Sequence, residues 1–287
     1  MKVYLTPPKT KSKSLNRVVN ALIKYKPQHI KIIENLEQSD IIIMHIVGRQ
    51  DRVKKQIERT QKPYAIIQYC LRSTLKPSTK DWVPIWENAN VVWSYLNLKK
   101  SCIEDGSPTD FNFYHAPLGS DPNTFYPSKQ NRDYVIAISS LSYMTESVRE
   151  AIVAAQRIRE RVFFLGPELK KSNVDCLNDI SDSILANRYS QCRFVSGLRR
   201  TEGFELPALE GLLCGAKPIF FDRSHYKQWF SKWGIFIHEG TREEVIDNLE
   251  IIFKSYSESI TKDEIEEVKK KFDWEPIIEG FWNRCLL

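Results

Sequence analysis

The chain has 287 residues, 42% of them apolar, and carries 42 Lys and Arg against 36 Asp and Glu for a net charge of +6. That length and apolar content suit two cores rather than one, and no stretch approaches the ~20 continuous apolar residues of a membrane helix. The six cysteines are scattered, without a C-x-x-C pair or a nearby histidine cluster, so neither a disulfide framework nor a zinc site organises the chain and reduced thiols are the expectation. The opening MKVYLTPP lacks the apolar stretch of a signal peptide, so a cytoplasmic location is the expectation. Charge is uneven: residues 1–126 hold 19 Lys and Arg against 11 Asp and Glu, and the rest hold 23 against 25. A basic first part joined to a near-neutral second part points to an anionic partner for the first.

In chain order, short apolar runs alternate with helical patterns. Strands are expected at Lys2–Thr6, His29–Ile33, Ile41–Ile46, Tyr64–Tyr69 and Val91–Ser94, with helices at Leu15–Tyr25 and Arg52–Thr60 and a short one ending at Ile103. Phe111–Pro127, rich in Pro, Asn and Ser, reads as a linker. A second set follows, with strands at Tyr134–Ile138, Val162–Leu165, Cys192–Val195 and Ile235–Ile237. Its helices are expected at Glu146–Arg157, Ser181–Tyr189 and Arg242–Tyr256. A helical tail starts at Lys262, and Phe272–Glu275 breaks it before a last helix. Such alternation predicts βαβ units and mostly parallel sheets, in a first domain over 1–126 and a second over 127–271. Residues 272–287 are expected to form a helix crossing back to the first domain. Doubly wound sheets bind ligands at the C-terminal ends of their strands.

The most informative stretch is Thr201–Asp222. A polar turn, Glu202-Gly203, leads into a helix from Leu206 to Cys214. Gly215 stops that helix as a left-handed cap, and a strand, Pro218–Phe221, follows. Glu202 and Glu210 stand eight positions apart, which puts two carboxylates and several first-turn N–H groups around one spot where a nucleotide diphosphate could sit. An ordinary turn-helix-strand unit with surface glutamates has the same spacing.

Five landmarks occur in order along nearly the whole chain. They are Ser39–His45; His115–Asp121 continuing to Phe125-Tyr126-Pro127; Phe163–Pro167; Glu202-Gly203-Phe204 through Glu210 with Cys214–Pro218; and Phe272-Asp273-Trp274-Glu275. Together they resemble the retaining family 4 of the GT-B glycosyltransferases, including its E-x7-E signature. The resemblance implies an α/β fold of two Rossmann-like doubly wound domains facing a central cleft. It also implies sugar transfer from a nucleotide-diphosphate sugar, a UDP-sugar first, with no tightly bound cofactor and no metal. By the same resemblance Glu210 binds the donor ribose hydroxyls, which a carboxylate can accept from in pairs. Glu202 would hold the donor sugar and act in catalysis. Gly203 and Phe204 would offer N–H groups, with Leu206 opening the helix beside them and Gly166 ending a neighbouring strand.

Departures from the family's pattern matter here. Glu205 stands where a glycine is usual, so its carboxylate must point away from the diphosphate or alter which sugar is held. Ser140 and Thr145 stand where the family has an Arg and a Lys on the diphosphate. A developing diphosphate needs positive charge or oriented donors. Either Arg199 and Arg200 supply it, or the hydroxyls of Ser139, Ser140 and Thr145 do, or catalysis has been lost.

His45 ends a buried strand, and the resemblance implies that it contacts the acceptor or donor sugar and belongs with Glu202 to the catalytic residues; a structural strand-end histidine is the alternative. Basic residues follow the first domain's strands: Lys9, Lys11 and Lys13, then Arg49 and Arg52, then Arg72, with Tyr69 and Trp82 among them. Basic loops interleaved with aromatics suit a polyanion with stackable bases. A modified base in DNA is therefore the first acceptor expectation, with duplex DNA as a partner. A polysaccharide or a lipid-linked glycan at an anionic membrane surface is the alternative acceptor. An inactive nucleic-acid-binding protein derived from the same fold is the alternative of a different class.

Overall fold

The computed structural model describes residues 1–6, 13–46, 50–71, 78–128, 131–140, 146–200 and 203–286. In chain order the first elements are β1 (Lys2–Thr6), α1 (Lys13–Lys24), β2 (Lys31–Ile32), a 3-10 turn (Leu36–Gln38), β3 (Ile41–Ile46) and α2 (Gln50–Thr60). After them come β4 (Tyr64–Gln68), α3 (Val83–Trp86), β5 (Ala89–Ser94), α4 (Leu98–Asp105) and β6 (Phe113–His115). A second series comprises β7 (Tyr134–Ser139), α5 (Val148–Arg157), β8 (Val162–Leu165), β9 (Val174–Leu177), α6 (Asp182–Ser190) and β10 (Cys192–Gly197). It continues through α7 (Leu206–Leu213), β11 (Lys217–Phe221), α8 (Ser224–Phe230), β12 (Ile235–Ile237), α9 (Arg242–Ser255), α10 (Lys262–Lys271) and α11 (Trp274–Cys285). Two compact units result, one of Met1–Gly119 with Trp274–Leu287 and one of Ser120–Asp273. Among the described residues no helix is long and apolar enough to cross a membrane.

The first unit holds a parallel sheet in the order β2-β1-β3-β4-β5-β6. All six residues of β3 are buried, as a strand covered on both faces must be. One face of the sheet packs Ile42, Met44, Ile66 and Val92 against Trp82, Ile85 and Trp86. On β5, Trp93 points at Trp274 and Phe281 of α11, and its indole N–H donates to the Ala116 carbonyl at 3.0 Å. Trp282 of the same helix donates to Leu22 of α1. The apolar stripe of α11 is thus spent on this sheet.

The second unit holds a parallel sheet in the order β12-β11-β10-β7-β8-β9. Ile136 and Ile138 of β7, Ala151, Ile152 and Ala155 of α5, and Leu249 and Phe253 of α9 share one core. Capping boxes at Thr241–Glu244 and Thr261–Glu264 start α9 and α10.

Two expectations need correcting. The stretch read as a linker contains β6, whose residues pair with Val92, Trp93 and Ser94 while Phe113 meets Trp86 edge-on. Turn-forming Pro and Asn on either side hide this strand. Residues 120–126 lie in the second unit, because the Ser120 N–H bonds to the Phe272 carbonyl at 3.1 Å and Phe125 is buried against Tyr189. Strand β9 and the helices α3 and α8 were not anticipated at all.

Candidate functional site

In the second unit the first strand in sequence, β7, lies between β8 and β10. The winding reverses between β7 and β10, and open α/β sheets bind ligands in the crevice at that reversal. Four stretches end there: Ser139-Ser140 at the end of β7, Gly166 after β8, Leu198-Arg199-Arg200 after β10, and the turn Gly203-Phe204-Glu205 that starts α7. A side chain at Gly166 would collide with the Phe164 ring and the Ser140 carbonyl, so glycine lets the ends of β7 and β8 draw together.

Helix α7 is buried almost all round, Glu210 included at 1% exposure. Its C-terminus closes as a Schellman motif: Gly215 adopts φ +86° and its N–H bonds to Leu212, while the Ala216 N–H bonds to Gly211. At its other end Phe204 packs on Phe230 and Phe272, which fixes the turn in the core. Gly211 lets the helix lie directly on β10, since an added Cβ would stand 2.7 Å from the Val195 side chain. Gly211→Ala is therefore expected to cost about 1–3 kcal/mol, read as a lower urea midpoint.

Arg199 spans the reversal. Its guanidinium donates to the Ser139 carbonyl at 2.8 Å, pairs through Nε with Glu205 at 2.6 Å and pairs with Glu146 before α5. Glu205 is thus turned onto Arg199, which explains why it caps nothing at the start of α7. Arg200 pairs with Glu239 at 2.9 Å and covers the Phe221 ring, and Arg223 pairs with the same carboxylate. Both arginines expected to face a diphosphate are held in ion pairs. Ser147, the residue before α5, takes the left-handed region at φ 49° and is buried. Strain of that kind collects where loops are shaped for ligands.

In the first unit the reversal lies between β1 and β3. His45, near the end of β3, is buried, and its Nδ1 lies 2.9 Å from the Tyr69 hydroxyl. Burial holds its imidazole at about 4 against an ordinary 6.5, so it is neutral at pH 7. An unfolded ring binds its proton near 6.5 and the folded one near 4. The stability that depends on the neutral ring is full above 6.5 and lost as pH falls through that window, by at most about 3 kcal/mol. The difference in thermal stability between the protein and its His45→Gln variant is expected to shift against the protein over that window and stay flat above it.

No family model matches the sequence, and no curated protein matches it. Solved structures do. A sucrose-phosphate synthase from Thermosynechococcus elongatus aligns with TM-score 0.75 at 13% identity over 100% of this chain and 99% of that one. HepE of Anabaena, in complex with UDP and glucose, aligns with TM-score 0.74 at 11% identity over 98% of both chains. AviGT4, a glycosyltransferase involved in avilamycin A biosynthesis, aligns with TM-score 0.65 at 10% identity over 99% of this chain and 96% of that one. The chain has the GT-B fold.

On this GT-B frame the anticipated residues divide. Ser139, Ser140, Gly166, Arg199, Arg200, Gly203, Phe204, Glu205, Leu206 and Glu210 all belong to the strand ends and the helix of the second unit. Glu202, Thr145, Lys9, Lys11, Arg49 and Arg72 lie outside the described residues, as does the Lys13 side chain. Arg52 is exposed on α2. Trp82 cannot stack on a base: it is fully buried, parallel to Trp86 in the core. The basic residues among which it stands in the chain suggested a surface that the packing does not provide. Glu146, Arg223 and Glu239 were missed, since their partners are far off in sequence.

Proposed function

We propose that the protein is a glycosyltransferase that moves a sugar from a UDP-sugar to an anionic acceptor, with its donor site at the strand reversal of the second unit. The observation that carries this is the burial of Glu210 on a helix starting at that reversal, eight positions after Glu202. The five ordered landmarks support family 4 and, with it, retention of configuration.

In this account Glu210 accepts from the ribose hydroxyls. The diphosphate rests against the ends of α5 and α7, where orphan N–H groups and the helix dipoles favour negative charge. Ser139 and Ser140 add oriented donors. Arg199, neutralised by Glu146 and Glu205, fixes the end of β7 through the Ser139 carbonyl. Glu202 holds the sugar hydroxyls, and the departing diphosphate oxygen takes the acceptor proton. Glu202→Ala is expected to lower UDP release from UDP-glucose by about 10²-fold or more with little change in UDP affinity. An unchanged release rate would remove Glu202 from the reaction.

The basic excess of residues 1–126 supports an anionic acceptor. A DNA acceptor keeps that charge but loses the stacking contributed by Trp82. Duplex binding that weakens steeply with salt would support DNA, and no binding at low salt would eliminate it.

A further inference from the structure

We propose that Tyr69 is a positioning residue that fixes His45 in its Nε2–H tautomer, so that His45 acts as a neutral hydrogen-bond donor to a sugar hydroxyl oxygen and not as a base. That the ligand is a sugar rests on the glycosyltransferase assignment; the tautomer does not.

Tyr69 is itself held firmly. Its N–H bonds to the Ile46 carbonyl at 3.1 Å, its carbonyl accepts from the Tyr95 hydroxyl, and its ring lies nearly parallel to the His45 ring, 11° apart. A neutral imidazole has one donor nitrogen and one acceptor nitrogen, so the single bond at Nδ1 decides which is which. Burial holds the Tyr69 phenol well above its ordinary value, so it keeps its proton. If the phenol donates to Nδ1, only the Nε2–H is left to satisfy. If Nδ1–H donates to the phenol oxygen instead, two groups need partners elsewhere, the phenol proton and the Nε2 lone pair. A buried polar group left unsatisfied costs about 1–3 kcal/mol, so the first arrangement wins.

Among the described residues Nε2 of His45 has no hydrogen-bond partner although the residue is only 6% exposed. A buried donor near the end of β3, beside the β1–β3 reversal, suits a ligand bearing hydroxyl groups, whose oxygens can accept from it. A base role at Nε2 requires the opposite tautomer.

The test is 15N NMR of the imidazoles in the ligand-free protein at pH 7.5, with the His45 signals assigned by their loss in His45→Gln. The expected result is a pyridine-type Nδ1 and a pyrrole-type Nε2, becoming a mixture of tautomers in Tyr69→Phe. A pyrrole-type Nδ1 in the wild type, or an unchanged spectrum in Tyr69→Phe, overturns the proposal. Glutamine places an amide N–H close to the position of Nε2–H, so His45→Gln is expected to lower kcat/KM for UDP-glucose hydrolysis by about 10-fold and His45→Ala by about 10²-fold. Equal losses of 10²-fold or more in both would mark a base and overturn the donor role. Should the tautomer be as expected while the wild type turns over no UDP-sugar, the transferase assignment falls and the role of Tyr69 stands.

Discussion

Arg199→Ala is expected to destabilise the second unit by about 3 kcal/mol, a larger loss than any other single substitution among the paired residues of the strand reversal. The side chains concerned are nearly out of water: Glu205 is 2% exposed, Arg199 16% and Glu146 13%. Removing the guanidinium takes the cation from two carboxylates in a setting where bulk water cannot screen them. It also frees the Ser139 carbonyl from a 2.8 Å bond that ties β10 to β7. Arg199→Lys keeps the charge but cannot reach three acceptors in one plane, so a loss about half as large is expected. Urea denaturation reads both, as a lower midpoint at unchanged slope. A midpoint within error of wild type for Arg199→Ala would mean that the ion pairs contribute nothing net. The same substitution is expected to weaken UDP binding, since it leaves the carboxylates of Glu146 and Glu205 uncompensated close to Ser139 and Ser140.

Glu210→Ala is expected to lower affinity for UDP by about 10²-fold, the effect of roughly 3 kcal/mol for a carboxylate that accepts from two hydroxyls in a buried setting. Glu210 lies inside α7 and not at its frayed end, and the helix is fixed by Gly211 against β10 and by the Gly215 cap. Loss of the carboxylate therefore leaves the helix in place. Isothermal titration with UDP measures the affinity, and circular dichroism checks the helix. Wild-type affinity in Glu210→Ala would refute the ribose assignment.

How much of this was legible in the sequence can be judged from particular elements. The strands β1, β3, β8 and β12 have the predicted bounds, because each centres on consecutive apolar residues, interrupted only by His45 in β3. Strand β9 (VDCL) and strand β6 are half-buried edge strands with polar flanks, and neither produces such a run. Helix α7 and its cap were readable from Gly215. The partner of Glu205 was not, because Arg199 and Glu205 meet only after a turn whose path the sequence does not specify. Glu146 reaches Arg199 from 53 positions away. The aromatic residues of the first unit misled for a related reason: Trp82 and Trp86 sit beside charged residues in the chain but pack under the sheet. Charge along the chain says where water is tolerated, not which way a neighbouring ring turns.

The central claim, that the strand reversal of the second unit binds a nucleotide sugar, is tested most directly by native mass spectrometry of the protein with a mixed panel of UDP- and GDP-sugars. The account predicts that a UDP-sugar is retained by the wild type, is slowly hydrolysed to UDP and is not retained by Glu210→Ala. Retention of no donor, or equal retention by Glu210→Ala, would contradict it.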